Sequence, residues 1–297
     1  MASADLTSAR SLADRAQEQF DALKAKADAF LQEHPWGTEV VRDDGGWALV
    51  VKIPKQPPED WWMDLGEMAD NARAALNHLA FQLVIANGQD PDESRVQFPI
   101  FEVKEHYFGN RGMKSNREKM LAGIGSGDRK VIDKMQPYNL GAEATDHPLS
   151  VLRSLTDRHK HRERHVGAMA VEQYTAMMHT GPNPLGIEAI GMTIGNVQSP
   201  DPLVDGHVLH RVQSTGQPDR EIDTPADFVE KGGPPRMILS EPTGISPDSD
   251  AQLTVAFFGD RPFKINDIGR VPPYVRVLIE RFERRIAAKR PGSGASR

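Results

Sequence analysis

The chain has 297 residues, 38% of them apolar and 26% charged, with a formal net charge of -6 at pH 7. That is material for one large domain or two small ones with a full core, and its acidic balance argues against a surface that coats nucleic acid broadly while leaving room for a local basic patch. It has no cysteine, which excludes disulfides, thiolate zinc sites, iron–sulfur ligation and cysteine nucleophiles. No apolar run approaches the ~20 residues needed to span a bilayer, and no secretory pattern opens the chain. The expectation is a soluble cytoplasmic protein with no membrane partner.

Taken in chain order, Asp5 to Gln32 reads as one helix, with Leu12, Ala16, Phe20, Leu23, Ala27, Phe30 and Leu31 recurring at three- and four-residue intervals. His34-Pro35-Trp36-Gly37 ends it, because proline cannot continue a helix and glycine suits the exit. A hairpin follows over 39–53, with Asp43-Asp44-Gly45-Gly46 as its turn. Pro57-Pro58 opens a second helix from Glu59 to Ala86, whose apolar face is Trp61, Leu65, Met68, Ala72, Leu76, Leu79 and Leu83, and Asn87-Gly88 closes it. Of the pair Trp61-Trp62, one ring is expected inside and one at the surface, at a dimer contact. Val96 to Phe101 reads as a short strand. Asn116 to Leu121 and Asp128 to Met135 read as short helices, joined by a glycine-rich connector.

The next helix, Pro148 to Val166, starts with proline in its first turn and an inward stripe of Leu149, Leu152 and Leu155. After His165 the character changes. Val166 to Met178, Gly186 to Gly195, His207 to Val212, Arg236 to Leu239 and Ala251 to Phe258 read as strands separated by Pro/Gly/Asp-rich turns. Strands that follow one another without helices between them favour antiparallel pairing. A final helix runs from Pro272 to Lys289, with Val275, Leu278, Ile279, Phe282 and Ile286 inward, and 290–297 reads as a disordered basic tail. The expected fold is α+β: a helical N-terminal half packed on an antiparallel sheet from the C-terminal half, ending in a helix. A mainly helical part over 1–165, with its hairpin at 39–53, and a β-rich part over 166–289 together make one integrated domain.

The chemistry concentrates in two helices. At ~100° per residue, the leucine stripe of the 148–166 helix runs on through His159, so that ring points the way the leucines point. On the second long helix, Arg73-Ala74-Ala75-Leu76-Asn77-His78 places an arginine and a histidine five residues apart, ~140° around the axis. They flank the apolar face rather than sit side by side. His78 shares its stripe with Asn71 and Gln82, two amide side chains that would support it.

The Arg73–His78 spacing resembles the arginine–four–histidine motif of the HEPN superfamily. With the helix around Asp157-Arg158-His159-Lys160, it is also similar to a group of uncharacterised actinobacterial and phage proteins that carry an R-S-A-L-D-H-L helix and a later D-K-H-R helix. The HEPN resemblance, covering about Glu59 to Val166, implies a helical, dimeric, metal-independent ribonuclease or toxin-type protein needing no cofactor. The chain departs from that pattern at Ala74, where members carry a polar residue, and in its hairpin and β-rich half. Cleaving RNA without a metal takes a base, an acid and a cation on the phosphate. His78 and His159 would exchange protons, Asp157 would orient an imidazole, and Arg73 or Arg158 would hold phosphate oxygens. The other reading is a non-enzymatic binding or assembly protein, a phage or accessory component, in which the Arg/His motifs are structural: His78 and His159 are buried, hydrogen-bonded and hold two helices in register, and the β-rich half supplies the partner surface.

Three further signals are weaker. His161 and His165 share a helical face as zinc ligands do, but Arg158, Arg162 and Arg164 crowd them and Arg162 stands where a metalloprotease has glutamate. No metal site is expected. Arg158, Lys160 and Arg162 instead form a basic cluster suited to RNA or another anionic ligand. Gly123-Ile124-Gly125-Ser126-Gly127 lacks the Gly-Lys-Ser/Thr of a phosphate loop and the glycine of a nucleophile elbow at position 124. It reads as a flexible connector.

Overall fold

A computed structural model describes residues 4–43, 46–109, 115–160, 166–180, 190–195, 202–213, 220–223, 236–239, 242–245, 250–258 and 262–289, with the side chains of 158–160 and of much of the C-terminal strand region outside that description. The architecture is α+β, with a helical N-terminal half, antiparallel C-terminal strands and a closing helix. In chain order the elements are α1 (Thr7–Gln32), β1 (Gly37–Asp43), β2 (Gly46–Lys52), α2 (Trp61–Ala86), α3 (Lys104–Phe108), α4 (Asn116–Met120), α5 (Ser126–Lys134), a 3-10 segment (Pro137–Asp146), α6 (Pro148–Lys160), β3 (Val166–Thr180), β4 (Ile190–Gly195), β5 (Val208–Gln213), β6 (Arg220–Asp223), β7 (Arg236–Leu239), β8 (Pro242–Ile245), β9 (Asp250–Phe258), β10 (Phe263–Lys264), α7 (Ile265–Ile268) and α8 (Val271–Lys289).

Two compact units are interleaved along the chain. One holds residues 1–27, 58–167 and 259–297, and the other holds 28–57 and 168–258. The composition change after His165 falls two residues from a unit boundary. The N-terminal hairpin, however, belongs with the C-terminal strands, and the closing helix belongs with the N-terminal helices. Among the described residues, no helix is long and apolar enough to cross a membrane.

In the helical unit, α2 supplies the centre. Trp61, Leu65, Met68, Ala72, Leu76, Leu79 and Leu83 are all buried, as their spacing predicts, and Ala69, Ala75 and Ala80 let neighbouring helices approach. Leu149, Leu152 and Leu155 of α6 and Val275, Leu278, Ile279 and Phe282 of α8 are buried as well. The buried polar groups of α6 are satisfied locally: the Ser150 hydroxyl donates to the Ala144 carbonyl at 2.7 Å and the Thr156 hydroxyl to the Leu152 carbonyl at 3.0 Å. Asp128, 1% exposed at the start of α5, is neutralised by Arg285 of α8, Nε to Oδ1 at 2.8 Å.

Two expectations are corrected here. Val96–Phe101 is not a strand. Val96, Phe98 and Ile100 are buried, but the segment's amides go to turn carbonyls and side chains instead of a neighbouring strand. Phe98 N–H donates to Asn77 Oδ1 at 3.1 Å, and Phe101 N–H to Gln136 Oε1 at 3.0 Å. Alternation in the sequence reported the burial and carried no information about a ladder partner. Nor is the glycine-rich connector open chain. Gly123 sits at φ +80°, where a Cβ would stand 2.7 Å from Val84 Cγ1, and its carbonyl accepts from Asn87 Nδ2 at 2.9 Å. The segment is packed against the end of α2, and glycine is required for both the backbone angle and the close approach.

In the second unit, β1 and β2 pair as the expected antiparallel hairpin, with Val40 opposite Leu49, and β5 adds to the other edge of β2 with a bulge between Leu49 and Val50. Ala48, Leu49, Val50 and Val51 are buried in succession, so both faces of β2 are covered. Strand β3 lies between β9 and β4 and also pairs β8, while β6 pairs β7. The hairpin segment is tied to the later strands by polar bonds: Trp36 Nε1 donates to the Ala251 carbonyl at 3.2 Å, and Ile53 N–H to Asp205 Oδ1 at 2.9 Å. The tail 290–297 lies outside the described residues.

His147 caps α6. Its Nδ1 accepts the Leu149 N–H at 3.1 Å, and its ring meets Tyr274 edge-on at 5.0 Å. Burial, with the charge of Arg270 added, lowers its pKa from the ordinary 6.5. The folded state therefore favours neutral imidazole, and the unfolded chain takes up the proton first as pH falls. We predict stability that is complete above about pH 6.5 and is lost progressively below it. His147→Asn keeps a capping oxygen without the titration, so thermal melts at pH 5 and pH 7 should differ less for this variant than for the wild type.

Candidate functional site

Helix α2 carries two of the sequence candidates on opposite flanks of its buried stripe. Arg73 is half-buried, and its Nη1 is fully buried with no hydrogen-bond partner among the described residues. Burial pulls the guanidinium down to about 10. The attraction of Asp157 opposes that shift, and the repulsion of Arg153 adds to it. Arg73 and Asp157 are thus electrostatic neighbours across the contact between α2 and α6. Asp157 itself is mostly exposed and pairs with Arg153 one turn earlier, Oδ2 to Nε at 3.3 Å. Arg153 also donates from Nη1 to the Ile100 carbonyl at 3.1 Å and lies over the Phe101 ring at 5.7 Å. Arg153 and Asp157 line a shallow cleft with Glu102 and His106, about 470 Å³ in volume.

His78 is elsewhere. It is exposed, makes no hydrogen bond among the described residues, and lines an open cleft of about 520 Å³ with Asn77, Phe81, Gln82 and Glu93. An exposed, unbonded imidazole cannot hold two helices in register, so the buried structural role does not describe His78. The structure joins Arg73 to Asp157 and keeps His78 apart from Asp157, which lines the other cleft.

Of the two supporting amides, Asn71 leaves His78 altogether and donates from Nδ2 to Gln19 Oε1 of α1 at 2.8 Å. Gln82 stays beside His78, its Oε1 accepting the Asp5 N–H at 2.8 Å. Arg158, His159 and Lys160 fall in the last turn of α6, where their side chains lie outside the described residues, as do His161, Arg162, Arg164 and His165 entirely. Among the described residues, no group of three His, Cys, Asp or Glu side chains is placed to hold a metal ion. Trp61 is buried and Trp62 is half-exposed, as expected.

The cleft holds residues that sequence reasoning passed over. Asn77 and Phe81, like His78 and Gln82, are four apart and so share a helical face. That spacing was readable in the sequence. Glu93 was not reachable in this way, because it comes from the loop after α2. Comparison of the chain with protein-family models, with curated proteins and with solved structures found no match.

Proposed function

We propose that this chain binds RNA through α2 and cleaves it without a metal, as a HEPN-like ribonuclease or toxin-type protein. The observation that carries the reading is the exposed imidazole of His78, without a hydrogen bond among the described residues, in an open cleft; Arg73, on the opposite flank of the same helix, carries a buried N–H with no partner among the described residues. A cation short of an oxygen partner suits a phosphate oxygen, and an exposed imidazole can both take and give a proton. In the reaction an imidazole takes the 2′-hydroxyl proton as that oxygen bonds to phosphorus. The P–O bond to the 5′-oxygen breaks, a second group protonates that oxygen, and a 2′,3′-cyclic phosphate remains. The candidate for the second proton site is His159, from the basic segment Arg158, Lys160 and Arg162.

The separation of His78 from Asp157 favours a second reading, in which the protein binds RNA or another anionic ligand without cutting it. Purified protein incubated with mixed RNA in excess chelator separates the two. Cyclic-phosphate ends produced by wild type support the ribonuclease. Intact RNA that is nevertheless retained in a gel shift leaves binding alone, and intact, unretained RNA removes both. The dimer that the resemblance implies is read by sedimentation of the same sample.

A further inference from the structure

The His78 cleft has a donor pattern that proton transfer does not use. Asn77 and Gln82 each commit their carbonyl oxygen to a backbone N–H, that of Phe98 at 3.1 Å and that of Asp5 at 2.8 Å. A backbone N–H can only donate, so each bond fixes which end of the carboxamide faces the backbone. The two NH2 groups are left over, and neither has a hydrogen-bond partner among the described residues. Phe81, also on the cleft, is partly exposed. Glu93, also on the cleft, is exposed and holds no ion pair among the described residues, so its carboxylate discourages an anionic group at this position. The volume, about 520 Å³, is of the size that holds a small organic ligand.

Two amide donors select acceptor atoms on the ligand, an aromatic wall selects a flat face, and a carboxylate with no ion pair among the described residues disfavours an anion. We propose that this cleft binds a neutral planar heterocycle carrying carbonyl acceptors at two edges, the chemistry of a uracil-type base. Adenine fits less well, because its exocyclic amine sets donor against donor. The site stands on the geometry of the cleft alone. It is occupied whether or not His78 moves a proton.

The test uses nucleosides rather than RNA. Calorimetric titration of the full chain with uridine should show saturable binding, at least fivefold tighter than adenosine. Asn77→Asp and Gln82→Glu keep the oxygen that receives the backbone N–H and replace the donor by a charged acceptor oxygen, which repels a ligand carbonyl. Each should weaken uridine binding about tenfold with little change in Tm, and Phe81→Leu should weaken binding of both nucleosides. If Asn77→Asp is unstable, Gln82→Glu and the uridine-to-adenosine ratio still decide. No saturable uridine binding, or equal affinity in wild type and both carboxylate variants, overturns the proposal. RNA cleavage without uridine binding would leave the ribonuclease and remove this site, and uridine binding without cleavage would do the reverse.

Discussion

His78→Ala should lower RNA cleavage in chelator by a hundredfold or more while leaving the melting temperature nearly unchanged. The first part follows from the work assigned to the ring, since removing a positioned proton-transfer group typically costs 10²–10⁴-fold. The second follows from its setting. His78 is exposed and makes no hydrogen bond among the described residues, and exposed substitutions of that kind usually stay within about 0.5 kcal/mol. The pair of measurements matters more than either alone. A structural histidine would show the opposite pattern, a lower Tm and a cleavage rate that falls only as far as the folded fraction does. His78→Gln, which retains hydrogen-bonding capacity but cannot exchange a proton, should be as inactive as the alanine variant.

Arg73→Met should raise stability and weaken RNA binding together. A buried donor without a partner costs about 1–3 kcal/mol, and here it belongs to a guanidinium that burial has already pulled down to about 10. Methionine keeps a long flexible stem for the packing on α2 and removes the unpaired group. The gain should be of the order of that cost, a few degrees in Tm. Affinity for RNA should fall about tenfold, and the slope of log affinity against log salt should shrink by about one, as for the loss of one phosphate contact. A variant that is more stable and binds RNA with the same salt slope would show that Arg73 faces no ligand. Arg73→Lys tests the geometry: a single ammonium preserves charge but loses the planar fork, so its affinity should lie between those of wild type and the methionine variant.

The fold was readable where one period persisted long enough. All seven apolar positions expected on α2 are buried, and so are Leu149, Leu152 and Leu155 on α6, because an amphipathic helix commits one face over many turns. The hairpin was legible from its turn chemistry. Long-range pairing was not. Nothing in the residues of β2 announces β5 as its other neighbour, roughly 160 residues on, and nothing local assigns the hairpin to the later strands. Val96–Phe101 shows the same limit from the other side, since its burial was legible and the side-chain oxygens that take the Phe98 and Phe101 amides were not.

The site divided in a similar way. The ~140° between Arg73 and His78 was arithmetic on the helix, and the separate surroundings of the two residues agree with it. Which neighbours complete each flank depended on loops and on other helices: Glu93 arrives from the segment after α2, and Asn71 is taken up by Gln19 of α1. Local spacing showed which residues share a face but not what lies opposite that face.

The most direct measurement is a titration of isotope-labelled protein with a short ribo-oligonucleotide, followed by backbone amide signals. If α2 is the RNA-facing element, the largest shifts will fall within 73–82 and on the Glu93 loop, and they will be lost in Arg73→Met. Shifts confined to the strands of the second unit, or none at saturating RNA, would contradict that role for α2.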